Sequence, residues 1–279
     1  MQKTNMENGN GIKALSLFDG VSCGQPALER AGVAVSSYDA FEIDRYAVAI
    51  SRYNYPDIRR HGDVMDADFS QFQGYDLLMG GSPCTFWSIA RKSREVDTGG
   101  MGWALFMRFA EAARIIRPRF FLYENVASMP QGIRARISEE LGCEPTMINS
   151  ALVSAQQRRR LYWTNIKGVA QPEDRGIMLR DILESGASYA DKSHCMTVSY
   201  CGAEIGHSLA RKMRTMVFEP VVVADKAYTI CAQFYKENVK SLLKRNKKGL
   251  YCAHKAISGE NADRIYSVRS KTVSLAAGG

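Results

Sequence analysis

Four short runs of this chain carry side chains that could do chemistry together. Gly80-Gly81-Ser82-Pro83-Cys84 places a thiol at the end of a Gly-Pro loop. As a thiolate it would be a nucleophile, and apolar packing of a cysteine does not require such a loop before it. The plainer reading, a buried structural cysteine, is the commoner fate of the residue type. Tyr123-Glu124-Asn125-Val126 sets a carboxylate and an amide after a strongly apolar stretch. Glu124 could exchange a proton with a ligand there, or cap a helix, or face water. Gln156-Gln157-Arg158-Arg159-Arg160 holds three guanidinium groups. If that stretch is extended, Arg158 and Arg160 point to one side, where they could hold a carboxylate and a carbonyl oxygen. The alternative is an exposed basic run. Phe18-Asp19-Gly20-Val21-Ser22-Cys23-Gly24 is a loop of mostly small residues. It lets a backbone approach a ligand, or is only a tight turn.

Such runs need a scaffold to bring them together, and the surrounding pattern supplies one. Short apolar runs predict strands over 14–18, 36–42, 76–79, 120–123, 146–149 and 161–166. Helical spacing predicts helices over 25–31, 45–54, 104–117 and 132–141, the third stopping before Pro118. Alternation of this kind implies an α/β fold, a mostly parallel sheet with helices on both faces. Ligands bind such sheets at the carboxyl ends of the strands, and each run above falls just past a predicted strand end. Glu42 closes the second strand about twenty residues after the Phe18 loop, where an acid can accept hydrogen bonds from a ribose. The loop is not Gly-x-Gly-x-x-Gly, so a pyrophosphate is disfavoured. A nucleoside without phosphates fits better, and S-adenosylmethionine is one. Gly62-Asp63-Val64 follows a third possible strand and could meet the adenine.

After Lys167 the pattern degrades. We therefore expect a flexible tail over 1–12, a catalytic cofactor-binding domain over 13–167 and a smaller, partly irregular region over 168–279. The chain has 279 residues, 46% apolar and 24% charged, the balance of a globular protein with a real core. No apolar run approaches the roughly 20 residues that span a bilayer, and the first residues do not read as a secretory leader. No membrane partner is expected. Seven scattered cysteines suit a reducing compartment better than a disulfide framework. Cys195 and Cys201 lie near His194 and His207, but the spacing matches no standard zinc pattern, so no metal is expected. The net charge is +8, and the segment from Lys226 to Gly279 alone holds eleven Lys or Arg against three Asp or Glu. A localised basic segment suits a polyanion such as nucleic acid, or is a solvated surface.

In this order and at these separations the four runs resemble the DNA cytosine-5 methyltransferase family. The family's signatures are a Phe-x-Gly-x-x-x-Gly-like loop, Pro-Cys, Glu-Asn-Val and Gln-x-Arg-x-Arg. They stand here as Phe18 to Gly24, Pro83-Cys84, Glu124-Asn125-Val126 and Gln156-x-Arg158-x-Arg160. The wording Ser16-Leu17-Phe18-Asp19-Gly20 and Gly80-Gly81-Ser82-Pro83-Cys84 looks most like de novo eukaryotic and related phage enzymes. The resemblance covers residues 13 to 166. It implies a Rossmann-like methyltransferase sheet, S-adenosylmethionine as cofactor, double-stranded DNA as partner and a target-recognition region at the C-terminal side. It further implies extrusion of a cytosine and addition of Cys84 to ring carbon 6. Glu124 would then donate to ring nitrogen 3, and the methyl group would pass to carbon 5. Arg160 would hold the base's carbonyl oxygen and Arg158 would orient Glu124. The cofactor contacts carry over to Phe18, Asp19, Gly20, Cys23, Gly24, Glu42, Ile43, Asp63, Val64, Pro83 and Leu105.

Two departures qualify the match. Thr85 stands where the family usually has Gln or Asn, at the start of a loop over 86–102 whose Arg91, Lys92 and Arg94 suit closure over DNA. Two further family motifs that would return to the cofactor domain are not found, so a missing C-terminal segment, or a second chain, is expected to complete the fold. Three functions stay open: a DNA cytosine-5 methyltransferase acting in restriction-modification or a phage setting, a catalytically silent DNA-binding relative, and an RNA-modifying member. The compartment follows the host: prokaryotic or phage-infected cytoplasm, or a eukaryotic nucleus.

Overall fold

In the computed structural model, residues 11–89, 93–184, 187–188, 190–195, 215, 217–222 and 252–256 are described. Residues 1–10 of the N-terminal tail, Arg91, Lys92, Cys201, His207 and all of the basic segment except 252–256 lie outside them, while Ile12, expected in the tail, belongs to the first strand. Contacts divide the chain into one unit of Met1–Ile148 with Arg159–Gln171 and another of Asn149–Arg158 with Pro172–Gly279.

The first unit is built on a seven-stranded sheet. Its strands are β1 (Ile12–Leu17), β2 (Val35–Phe41), β3 (Arg59–Arg60), β4 (Leu77–Gly80), β5 (Phe120–Val126), β6 (Thr146–Asn149) and β7 (Arg159–Thr164). They lie in the order β3-β2-β1-β4-β5-β7-β6. β1 pairs in parallel with β2 and β4, β4 pairs in parallel with β5, and β7 runs antiparallel to β5. This is the order of a Rossmann-like methyltransferase sheet. Successive strands leave β1 in opposite directions, so the gap beyond the carboxyl ends of β1 and β4 is the topological switch point.

The sequence accounts for these elements. β1 is apolar and buried over its last four residues, as a central parallel strand must be. On β4, Leu78 joins the larger core with Leu15, Leu17, Phe106, Phe109 and Trp163, while Leu77 and Met79 join a second cluster with Ala14, Tyr38 and Ala40. Alternate residues thus serve opposite faces. Helix α1 (Gly24–Arg30) follows the Phe18 loop, and α2 (Arg45–Asn54) is capped by Asp44, whose Oδ1 accepts from the Tyr46 and Ala47 amides. α3 (Met101–Ile116) ends at Arg117 in the left-handed region, directly before Pro118. α4 (Gln131–Leu141) ends at Gly142 with φ 68°.

Two expectations need correcting. β5 does not stop at Tyr123 but continues through Val126, because β7 supplies antiparallel partners beyond the parallel pairing with β4. α3 begins a turn before Ala104, where Glu95 accepts a hydrogen bond from the Gly102 amide at 2.9 Å. In the second unit, Lys192 Nζ donates to the carbonyls of Ala151, Ser154 and Ile177, and the Gln157 amide donates to Ser193. A short helix α5 (Leu179–Ile182) and an antiparallel pair, β8 (Phe218–Val222) with β9 (Cys252–Ala256), belong to this unit.

Candidate active site

The switch point holds a cleft of about 400 Å³, its open mouth included, lined by Phe18, Phe41, Glu42, Ile43, Gly62, Asp63, Val64, Pro83 and Leu105. All of them end or follow a strand except Leu105, which lies on α3. Phe18 leaves β1 at φ 58°, and Ser22 stands at φ 64°. Left-handed backbone is costly for residues other than glycine and clusters at functional sites. Asp19 takes no part in the lining. Its Oδ1 accepts from the Tyr38 hydroxyl at 2.7 Å and its Oδ2 from the Ser22 hydroxyl, and Ser22 Oγ meets Ser51 Oγ at 2.5 Å. That network holds the bend. Gly20 donates its amide to Glu42 Oε2 at 2.7 Å, while Glu42 Oε1 accepts from the amides of Ile43 and Asp44. The acid at the end of β2 is therefore fixed by three backbone donors.

Gly62 and Asp63 are placed by a buried carboxylate. Asp39 is 2% exposed and accepts from Arg59, His61 and Tyr75. Burial works to raise its pKa, but the hydrogen bonds from Arg59, Tyr75 and His61 outweigh that and hold it well below the usual carboxylate range. Asp63 then caps the 3-10 turn Val64–Asp66, accepting from the Met65 amide at 2.9 Å.

The loop after β4 is built differently. A methyl group placed on Gly80 would stand 2.9 Å from the Leu17 carbonyl oxygen and from the Phe109 ring, and one on Gly81 would stand 2.7 Å from the Glu124 carbonyl oxygen. Both positions require the smallest residue. Ser82 is buried; its Oγ lies 2.7 Å from the Tyr123 hydroxyl, and its carbonyl accepts from Asn125 Nδ2 at 3.1 Å. Pro83 follows, lining the cleft. Cys84 opens a 3-10 turn, partly exposed and not in a disulfide, and its carbonyl accepts from the Trp87 and Ser88 amides. Beyond it, Glu95 donates its amide to the Phe86 carbonyl and Arg94 Nη1 donates to the Ser128 carbonyl.

Glu124 and Arg160 meet because of strand register. Glu124 is opposite Tyr162 and Val126 is opposite Arg160, so Glu124 and Arg160 form a diagonal pair on one face. Arg160 Nε lies 2.6 Å from Glu124 Oε1. The orienting of Glu124, expected of Arg158, is thus done by Arg160. Arg158 precedes the strand, so alternation does not govern it. It lies in the second unit, where its Nη1 donates to Cys195 Sγ at 3.1 Å.

The cleft brings together Phe18, Glu42, Ile43, Asp63, Val64, Pro83 and Leu105 from the sequence-based set. Asp19, Gly20, Cys23 and Gly24 are not among its lining residues. Gly20 acts through Glu42. Gly24 lies where a methyl group would be 2.5 Å from the Tyr38 hydroxyl, so it lets α1 approach β2. Phe41 was missed, although it directly adjoins Glu42, and Gly62 was named only as part of the Gly62-Asp63-Val64 run. Ser82 and Tyr123 were missed as partners; the available signal was a phenol in an otherwise hydrocarbon strand.

Fold and strand order place the chain among the α/β methyltransferases. Residues 12–175 match the family described as C-5 cytosine-specific DNA methylase, and the chain belongs to that family. It is 32% identical over 192 residues to the orphan methyltransferase M.SPRI of Bacillus phage SPR, a match covering 63% of this chain and 43% of that protein. It is 35% identical over 121 residues to the type II methyltransferase M.HgiCII of Herpetosiphon aurantiacus, covering 42% and 26%. With M.NgoBV of Neisseria gonorrhoeae, also a type II methyltransferase, it shares 27% identity over 204 residues, covering 63% and 47%. The chain spans less than half the length of each of these relatives.

Proposed function

We propose that this chain methylates carbon 5 of cytosine in double-stranded DNA, with Cys84 as nucleophile and S-adenosylmethionine as methyl donor. The observation that carries the reading is the convergence at one sheet edge. The Cys84 loop leaves β4 beside the cleft that Pro83 lines, and the neighbouring β5 carries Glu124, paired with Arg160 on β7.

The cleft suits the proposed donor. Its walls are largely apolar, from Phe18, Phe41, Ile43, Val64, Pro83 and Leu105, and Glu42 is already fixed to receive ribose hydroxyls. Asp63, in the same lining, would meet the adenine edge. When bound, S-adenosylmethionine supplies an electrophilic methyl group. The residues of the chain do the rest. Cys84, as thiolate, adds to carbon 6 of an extruded cytosine and forms a carbon–sulfur bond. Glu124, once protonated, donates to ring nitrogen 3, discharging the ring and leaving carbon 5 nucleophilic. Arg160 carries five N–H donors, so it can hold Glu124 and the base's carbonyl oxygen together. Loss of the carbon-5 proton and expulsion of the Cys84 thiolate restore the aromatic ring. Target recognition falls to the region from residue 168 onward. The setting we infer is a bacterial or phage-infected cell, after the phage and bacterial relatives. No helix among the described residues is long and apolar enough to cross a membrane.

The test is transfer of a labelled methyl group to duplex DNA, with RNA as the comparison substrate, by the chain alone and together with any segment encoded directly downstream. Label in DNA that depends on Cys84 supports the reading. Label in RNA only, or in neither, overturns it.

A further inference from the structure

Tyr123 carries a feature that packing does not explain. Its ring is fully buried among Phe106, Phe109 and Trp163, with centroids 5.2, 4.9 and 5.8 Å away. A phenylalanine would fill that place equally well. The hydroxyl adds a burial cost that only hydrogen bonds offset. It accepts from Asn125 Nδ2 at 3.2 Å and lies 2.7 Å from Ser82 Oγ. Either hydroxyl can donate in the Ser82–Tyr123 pair, which joins β5 to the start of the Cys84 loop. Burial also pushes the Tyr123 phenol well above its ordinary ionisation range, so it remains a donor.

Ser82 stands two residues before Cys84, with only Pro83 between them. The proline ring locks the intervening φ, here −50°. Gly81 is pressed against the Glu124 carbonyl. With its start fixed at Gly81 and Ser82, and its next torsion fixed by Pro83, the chain has little freedom left before the thiol.

We propose that Tyr123 is a positioning residue whose hydroxyl, through Ser82, sets the place of the Cys84 nucleophile relative to Glu124. The proposal rests on the methyltransferase reading above. Misplacing a reacting atom by about 1 Å can cost up to a hundredfold in rate, so loss of a single hydrogen bond upstream should cost about tenfold.

The experiment measures the single-turnover rate of a denaturation-resistant protein–DNA adduct. The probe is duplex DNA whose cytosines carry fluorine in place of the carbon-5 proton that must leave, with S-adenosylmethionine present. Wild type is compared with Tyr123→Phe, Ser82→Ala and the double variant. Each single variant should slow the adduct about tenfold at saturating DNA, with half-saturating DNA and cofactor affinity unchanged within about twofold. The double variant should be no slower than the slower single one, because both remove one link. Wild-type rates in both single variants, or losses that multiply in the double variant, overturn the proposal. If Tyr123→Phe fails to fold, Ser82→Ala alone decides it on the same readings. Absence of an adduct with the wild type overturns the function reading itself, and this proposal with it.

Discussion

The loop after β1 and the loop after β4 leave adjacent strands, yet they are held by opposite means. The first is bent by left-handed backbone at Phe18, Gly20 and Ser22 and fixed by two carboxylates, Asp19 and Glu42. The second is drawn in by two glycines and fixed by uncharged groups, the Ser82 and Tyr123 hydroxyls and the Asn125 amide. Charge explains the difference. A carboxylate beside the first loop can meet a ribose and a cationic ligand. A carboxylate within the second would oppose ionisation of the thiol at Cys84. Under the proposed chemistry, a buried neutral network would position the nucleophile at no electrostatic cost to the thiolate. Glu124, an acid packed against that loop, carries its own guanidinium from Arg160.

Four substitutions break or sharpen this contrast. Glu124→Gln removes the proton donor, and turnover should fall about a thousandfold, with cofactor affinity preserved; a kinetic and titration comparison giving the opposite pattern removes Glu124 as the acid. Asn125→Asp places a charge in the neutral network and turns a donor toward the Ser82 carbonyl into an acceptor. Turnover should fall about a hundredfold, and the acidic limb of the pH–rate profile should move to higher pH. An unmoved limb would mean that the neutrality of the second loop is incidental. Glu42→Gln should act on the first loop alone, weakening cofactor binding about tenfold while turnover at saturating cofactor stays near wild type. A calorimetric titration and a saturation curve check both halves.

The smallest effect concerns Asp39, behind the first loop. The folded chain keeps Asp39 ionised to lower pH than the unfolded chain does, so below about pH 4 the unfolded state binds more protons. Its contribution to stability is complete above that pH and is lost as the pH falls toward the folded-state value. Asp39→Asn should therefore lower the melting temperature by a few degrees at neutral pH and flatten its acid dependence. Parallel melting curves for the two proteins would contradict this.

Much of the scaffold was legible because its signals are local. α2 was placed over its true span and α4 to its true end by helical apolar spacing, and α3 was stopped by Pro118. Of the seven cleft residues that the resemblance carried over, all but Leu105, on α3, end or follow a strand. What was not legible depends on pairing between distant segments. Glu124 read as lying past a strand because its β7 partners come over thirty residues later. The same long-range register, invisible in the Arg158-Arg159-Arg160 run, gives Glu124 to Arg160. The Ser82–Tyr123 contact likewise joins two motifs across adjacent strands.

The most direct test of the whole account is labelled methyl transfer to duplex DNA by wild type and Cys84→Ala, with DNA binding measured in parallel. The account predicts label in DNA with the wild type, none above background with the variant, and equal binding by both. Undiminished methylation by Cys84→Ala would contradict it.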